Sequence, residues 1–316
     1  MDSTEIYDNL VKQPLPKNDC YNVFQINNHE YEAYIGKDTN GNVVFMIPSS
    51  TPNLLPQYQQ TKSLRFAFNQ KCVINNCGEE QTMHILLCKE NTYEKISAFI
   101  RLTSAFSVSN MNRNQEYLSK LFNAISNLFT KDQEFSRKEL QGIFGELFTI
   151  KYFHSLGLDI ASYWQSRDKM KFDFSLDEHR RLEIKTTIKQ NRVHHFRHEQ
   201  LLSNLYDIKV VSIMLRESDT GLSLKSLIEE IREIYSNNFN LMLHIEKVTK
   251  AAYYLLEDVC YDEVYLKKNM RFYDAIQIPH FGEKTPDGVY NTEYDCVLDN
   301  IKNMLLDDIV CWLKKL

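Results

Sequence analysis

The sequence predicts a mixed α/β chain, α+β overall, whose middle third follows the order helix, three strands, helix, strand. Three observations carry that prediction. Residues 172–174 and 182–187 alternate apolar and polar side chains at period two, and the turn-rich stretch 176–180 between them reads as a hairpin connection. Residues 115–129, and those following Ser136, repeat apolar side chains at helical spacing. An apolar strand pattern at 209–215 follows a short helical one at 198–206. The expected organisation is an α+β domain at 1–130, the core at 131–220 and a helical and β extension at 221–316.

Taken in order, residues 1–28 carry turn residues (Pro14, Pro16, Asn18) and little periodicity. Residues 31–35 and 43–47 flank Asn40-Gly41, a strong hairpin signal. Short strands follow near 64–68 and 83–88. A helix then begins at Asn91, which is an N-cap with Glu94 three residues on. Leu118, Leu121, Phe122, Ile125, Leu128 and Phe129 form one face of the next helix, which residues 131–133 break. Ser136 and Glu139 make a second capping box and open the helix that carries Glu146. A strand near 160–165 precedes the two alternating strands. Beyond the core, helices are expected at 223–235, 239–255 and 301–316, a strand at 270–278 and a turn at 286–288.

Composition sets limits. The 316 residues are 43% hydrophobic and 25% charged, as in an ordinary globular protein with room for two domains. A net charge of −5 argues against a generic polyanion binder. Residues 161–200 nevertheless hold nine Lys/Arg against six Asp/Glu, a local +3. Seven cysteines without framework spacing suggest reduced thiols in a cytoplasm. Cys72 and Cys77 form a weak zinc pair, because no second Cys/His pair follows at the right spacing. No apolar run reaches membrane-span length, and the first residues carry no leader pattern, so neither membrane nor export is expected.

The chemistry concentrates on the two alternating strands. Asp173 sits between Phe172 and Phe174, and after a gap of nine residues Glu183-Ile184-Lys185 begins, the only Glu-x-Lys of the chain. Paired strands would bring Asp173 and Glu183 side by side. Two carboxylates about 4 Å apart repel by roughly 4 kcal/mol at an effective dielectric near 20. A divalent cation removes that penalty, and hard oxygen donors suit Mg²⁺ or Mn²⁺. Lys185 adds a positive charge where a phosphate oxygen would lie. Glu146 has no Lys or Arg three or four positions away on a helix apolar round most of its girth. Such a carboxylate is costly unless a cation or a hydrogen-bond donor meets it. The bland alternatives are a solvent-exposed Glu146 and a strand of cross-strand ion pairs. Asp207-Ile208-Lys209 reads as a decoy, with no partner Asp on a preceding strand.

An Asp, a gap of nine and Glu-x-Lys resemble the PD-(D/E)XK nuclease superfamily, with Phe172 where that family loosely keeps Pro. The wider pattern is similar to a bacterial family catalogued only as PD-(D/E)XK-like. The matching residues are Gly145-Glu146-Leu147, Phe172-Asp173-Phe174, Glu183 to Thr187, Arg192-Val193-His194, Gln200-Leu201, and the tail Pro286-Asp287-Gly288-Val289 with Tyr294. The likeness covers roughly the last two-thirds of the chain. It implies a restriction-endonuclease-like αβββαβ core.

The resemblance also implies a Mg²⁺-dependent DNA endonuclease, with Mn²⁺ able to substitute, in a bacterial restriction or anti-phage system. Asp173, Glu183, the carbonyl of Ile184 and Glu146 would hold metal, and Lys185 would orient a water or stabilise the transition state. Arg192, His194, Arg197 and Gln200, just after the Glu-x-Lys strand, form the nucleic-acid-binding set: Arg192 on phosphate, Gln200 facing the groove. For the histidines the plain alternative is a solvated loop. No nucleotide-binding loop is apparent, so ATP-driven movement would need an ATPase or helicase subunit, and restriction a methyltransferase. Double-strand cutting calls for a homodimer. The alternatives are a non-cleaving binding or scaffold subunit, and a nuclease for RNA or branched DNA.

Overall fold

A computed structural model describes residues 2–17, 20–26, 32–75, 79–108, 114–130, 134–164, 172–202, 206–282 and 285–314. The chain divides into two compact units, Met1–Gln133 with Tyr235–Lys247, and Glu134–Ile234 with Val248–Leu316. Among the described residues no helix is long and apolar enough to cross a membrane.

The first unit opens with helix α1 (Ser3–Lys12), capped by Asp2, whose carboxylate accepts from the Glu5 N–H at 2.8 Å. Strands β1 (Cys20–Gln25), β2 (Tyr34–Lys37), β3 (Val43–Pro48), β4 (Gln57–Gln60), β5 (Leu64–Ile74) and β6 (Glu80–Cys88) form one sheet, in the order β1-β2-β3-β6-β5-β4. Helices α2 (Tyr93–Val108) and α3 (Gln115–Thr130) follow. The β2–β3 hairpin forms as its turn predicts, with Gly41 at φ +80°; Tyr31 lies outside the described residues. Every apolar residue expected on the α3 face is buried.

In the second unit, α4 (Arg137–Ser155) begins at the expected capping box. Ser136 N–H donates to the Glu139 carboxylate at 2.8 Å, and Glu139 N–H donates back to Ser136 Oγ at 3.3 Å. Strands β7 (Phe174–Ser175), β8 (Arg180–Thr187), β9 (Val193–Arg197), β10 (Asp207–Met214) and β11 (Glu217–Ser223) lead to α5 (Leu224–Ile234); the next helix, α6 (Phe239–Ala252), belongs to the first unit up to Lys247. Then come β12 (Cys260–Tyr261), α7 (Glu263–Asn269), β13 (Met270–Asp274), β14 (Glu293–Val297) and α8 (Leu306–Leu313). The central sheet runs β13-β10-β8-β7, with β10 parallel to β8 and the other pairs antiparallel. β9 and β14 make a separate antiparallel ribbon, and β11 pairs with β12. The architecture is α+β.

Several expectations need correction. Residues 1–28 contain α1 and β1. The helix buries only Ile6 and Leu10, a single i,i+4 pair, too little for a periodic signal. The strand expected near 160–165 is a 3₁₀ turn, Ala161–Tyr163, followed by a one-residue bridge between Trp164 and Phe174; residue 165 lies outside the described residues. The helix expected at 198–206 is one 3₁₀ turn, His198–Gln200, with 203–205 outside the description. The strand at 270–278 ends at Asp274 and turns into 3₁₀ geometry, and the last helix starts at Leu306. Strand β9 replaces the loop expected after Thr187, because its partner β14 lies about a hundred residues along the chain, beyond any local pattern.

Candidate active site

Helix α4 reaches the sheet closely at one point. A Cβ on Gly145 would lie 2.3 Å from the Thr186 side chain, so only glycine allows this approach to β8. Gln141 reinforces the contact by donating to Thr186 Oγ1 at 3.1 Å. The next residue is Glu146, and the helix therefore delivers its carboxyl to the β7–β8 edge of the sheet.

On β7 and β8 the register is Phe174 opposite Leu182, and Asp173, just before β7, lies next to the Glu183–Ile184 segment of β8. Asp173 Oδ2 accepts from the Ile184 N–H at 2.7 Å. In an extended strand the N–H and C=O of one residue face the same side, so the Ile184 carbonyl also faces the Asp173 edge. Glu183 and Lys185 share one face of β8 at period two, and Lys185 Nζ lies 2.7 Å from Glu183 Oε1. Gln200 joins the pair: its Nε2 donates to Glu183 Oε1 at 2.6 Å, and its Oε1 accepts from Lys185 at 3.0 Å and from the Arg197 N–H at 3.1 Å. The Lys185 ammonium also sits 5.1 Å from the centre of the Phe196 ring, a further favourable contact for a cation.

The electrostatics match that crowding. Glu183 is only 2% exposed, and burial raises its carboxyl above the ordinary range against the pull of Lys185. Burial lifts Glu146 to about 7, and the Glu183 charge adds to this while Trp164 and Lys185 oppose it. Asp173 is held well above its ordinary value by burial, then by the charges of Glu183 and Glu146, with Lys185 and the Ile184 N–H pulling down. Three carboxyl groups thus feel one another, and a single ammonium offsets them.

A divalent cation fits this donor set. Glu183 Oε2 is buried without a hydrogen-bond partner, an unsatisfied hard oxygen of the kind Mg²⁺ or Mn²⁺ takes. Asp173, Glu183, the Ile184 carbonyl and Glu146 are the groups that would hold it. Among the described residues no three His, Cys, Asp or Glu side chains already stand at ligand spacing around one point, and Lys185 takes the neutralising place beside Glu183.

The residues expected to bind nucleic acid separate into two groups. Arg197 is exposed, with 62% of its side chain accessible, and shares the Glu293 carboxylate, at 3.2 Å, with His195 at 3.1 Å. Gln200 is buried and organises Glu183 and Lys185 instead of facing a groove. Arg192 and His194 are corrections. Arg192 is 1% exposed; its guanidinium donates to the Ser212 carbonyl and hydroxyl at 2.9 and 2.6 Å and to the Asn269 carbonyl at 2.8 Å. His194 is 2% exposed, lies 2.6 Å from Ser212 Oγ, and is pushed down to about 3 by burial and then by the Arg192 charge. Both close the polar gap beneath β9 and β10 and neither is accessible to a phosphate. Cys72 is a buried thiol raised to about 11 by burial, and Cys77 lies outside the described residues. Lys209 of the decoy triplet pairs with Asp207 and Asp274 at 2.5 and 2.8 Å, as a structural residue does.

One member of the site escaped the sequence reading. Trp164 donates its indole N–H to Glu146 Oε2 at 2.5 Å. The only sequence signal was the demand of a lone carboxylate on an apolar helix for a donor.

A family model described as "Putative PD-(D/E)XK family member" (DUF4420) matches residues 4–299. No curated protein and no solved structure matched the chain. The match spans nearly the whole chain and includes Glu146, Asp173, Glu183 and Lys185, so the chain belongs to this PD-(D/E)XK family.

Proposed function

We propose that the chain is a nuclease that hydrolyses phosphodiester bonds of DNA with a bound divalent cation, Mg²⁺ or Mn²⁺. The observation that carries the reading is the convergence of Asp173, Glu183 and Glu146 on one site, with an unpartnered Glu183 oxygen and Lys185 as the one ammonium among them. When bound, the cation would lower the pKa of a coordinated water and offset charge on the phosphate. Asp173 would hold it from just before β7, Glu183 from β8 and Glu146 from α4. Lys185 would then turn from Glu183 towards the non-bridging oxygens of the scissile phosphate and stabilise charge that develops there. Gln200, whose Oε1 accepts from Lys185, would steady the ammonium through that turn. Arg197, at the rim, would take a neighbouring phosphate in exchange for Glu293, an exchange between exposed partners that costs little.

The proposal extends to a bacterial restriction or anti-phage system in the cytoplasm, on the family likeness and on six free thiols among the described residues. It includes a homodimer for double-strand cutting and an ATPase, helicase or methyltransferase subunit as partner. The core is proposed to be restriction-endonuclease-like, on the α4–β7–β8–β10 order with β10 parallel to β8. The test is nicking of supercoiled plasmid in Mn²⁺ or Mg²⁺ by the wild type, with Asp173→Ala alongside. Cleavage by the wild type alone supports the reading. DNA binding without cleavage in either cation would turn it to a non-cleaving subunit, and cleavage confined to RNA or branched DNA would change the substrate.

A further inference from the structure

Trp164 touches two parts of the candidate site that different elements supply. Its indole donates to Glu146 on α4 at 2.5 Å, and its backbone forms an antiparallel bridge with Phe174, the residue after Asp173. The side chain is 8% exposed, and the preceding 3₁₀ turn is fixed by the buried Ile160 and Ala161 and by Asp159, whose carboxylate accepts from the Ala161 N–H at 3.0 Å. Trp164 is therefore tied to the site through both its side chain and its backbone. An indole N–H only donates, so its partner must present an acceptor oxygen, and a bond to a charged carboxylate is among the stronger kinds. One Glu146 oxygen is in that way assigned to the indole and the orientation of the carboxyl is set.

We propose that Trp164 is a positioning residue: its indole N–H fixes Glu146 beside the segment that carries Asp173 and Phe174, and cation capture depends on that bond. The inference rests on the cation-dependent reading above. Groups that orient a metal ligand from behind set its geometry, and losing one weakens metal affinity by about 10–100-fold.

The experiment is Mn²⁺ binding by the purified full chain without nucleic acid, followed by calorimetry. Trp164→Phe keeps a ring in the core and removes the donor. It is expected to bind Mn²⁺ about 10–100-fold more weakly than the wild type while keeping the wild-type far-ultraviolet circular dichroism. Trp312→Phe, which alters the other tryptophan of the chain, should bind as the wild type does. A second measurement needs no substitution at Trp164: the indole N–H resonance of Trp164, distinguished through Trp312→Phe, should shift on Mg²⁺ titration with the midpoint of cation binding. The inference is overturned if Trp164→Phe binds Mn²⁺ normally while Glu146→Gln does not, or if the Trp164 resonance stays fixed as the site saturates. Absence of binding by the wild type at millimolar Mn²⁺ would instead remove the cation-dependent reading, and the inference with it.

Discussion

Glu183 and Lys185 form a 2.7 Å ion pair although they stand two positions apart on the same face of β8. Successive residues on one face of a strand are roughly 7 Å apart at the backbone, so both side chains must lean together. Gln200 makes this arrangement possible by donating to one and accepting from the other. The pair is nearly dry on the Glu183 side. Breaking a buried pair by removing one partner is worse than never having had it, since the remaining charge is left without compensation. Lys185→Ala is therefore expected to reduce cation-dependent plasmid nicking by at least about a hundredfold, the scale of losing one charge-stabilising donor. Far-ultraviolet circular dichroism should remain that of the wild type. Nicking within a few-fold of the wild type would remove Lys185 from the chemistry.

The raised carboxyls bear on stability. Asp173, Glu183 and Glu146 all hold protons to higher pH in the folded chain than they would unfolded. Stability from this source is complete below the ordinary carboxylate range and is lost as pH rises through the raised values. For Glu146 that window runs from 4.5 to about 7. In chelator, the thermal midpoint of the wild type is expected to fall between about pH 5 and about pH 8 more steeply than that of Asp173→Asn, which lacks one of the mutually repelling charges. Mg²⁺ at about a hundred times its dissociation constant should return about 2.7 kcal/mol at the upper pH. Parallel curves for the two proteins, with and without Mg²⁺, would show that the three groups do not act on one another.

What could be read from the sequence follows from the range of each signal. Period two put Glu183 and Lys185 on one face, where they pair, and the short hairpin is seen as β7 and β8, with Asp173 accepting from the Ile184 N–H; both are local features. The capping box of α4 is equally local. Arg192 was misjudged because a lone arginine ordinarily belongs at the surface. Its burial depends on the carbonyls of Ser212 and Asn269, 20 and 77 residues away. Trp164 stands 18 residues from Glu146 with no pattern linking them. The β9–β14 ribbon joins segments about a hundred residues apart, and the alternation in each runs over only five residues, too short to specify so distant a partner.

Gly145 offers a test of how the helix is seated. An alanine there would bring its Cβ to 2.3 Å from Thr186 Cγ2, a separation that forces movement of α4 or β8. Overpacking of this kind costs about 1–3 kcal/mol. Gly145→Ala is expected to lose that much in urea unfolding and to lower nicking as Glu146 is carried away from Glu183. Thr186→Ser removes the offending methyl and keeps the hydroxyl that accepts from Gln141. The double variant should recover most of the loss, giving a coupling free energy of at least about 0.5 kcal/mol. Simple additivity would mean that the helix approaches the sheet elsewhere.

Arg192 and Arg197 are five positions apart on or beside the same strand and should behave oppositely. Arg192 spends its guanidinium on buried acceptors of the chain itself, so Arg192→Ala leaves those acceptors unpaired in the interior. A loss of about 3 kcal/mol in unfolding free energy is expected, on the scale of an unsatisfied buried partner of a charged group. Whatever fraction remains folded should bind DNA with the wild-type salt dependence. Arg197→Ala removes an exposed contact with Glu293 and a minor charge effect on Glu183, and should leave stability within about 0.5 kcal/mol. If Arg197 meets a phosphate, its removal lowers affinity and reduces the slope of log affinity against log salt by about one. Binding measured from about 50 to 200 mM salt checks both variants at once. An unchanged slope in Arg197→Ala would take it out of the nucleic-acid interface.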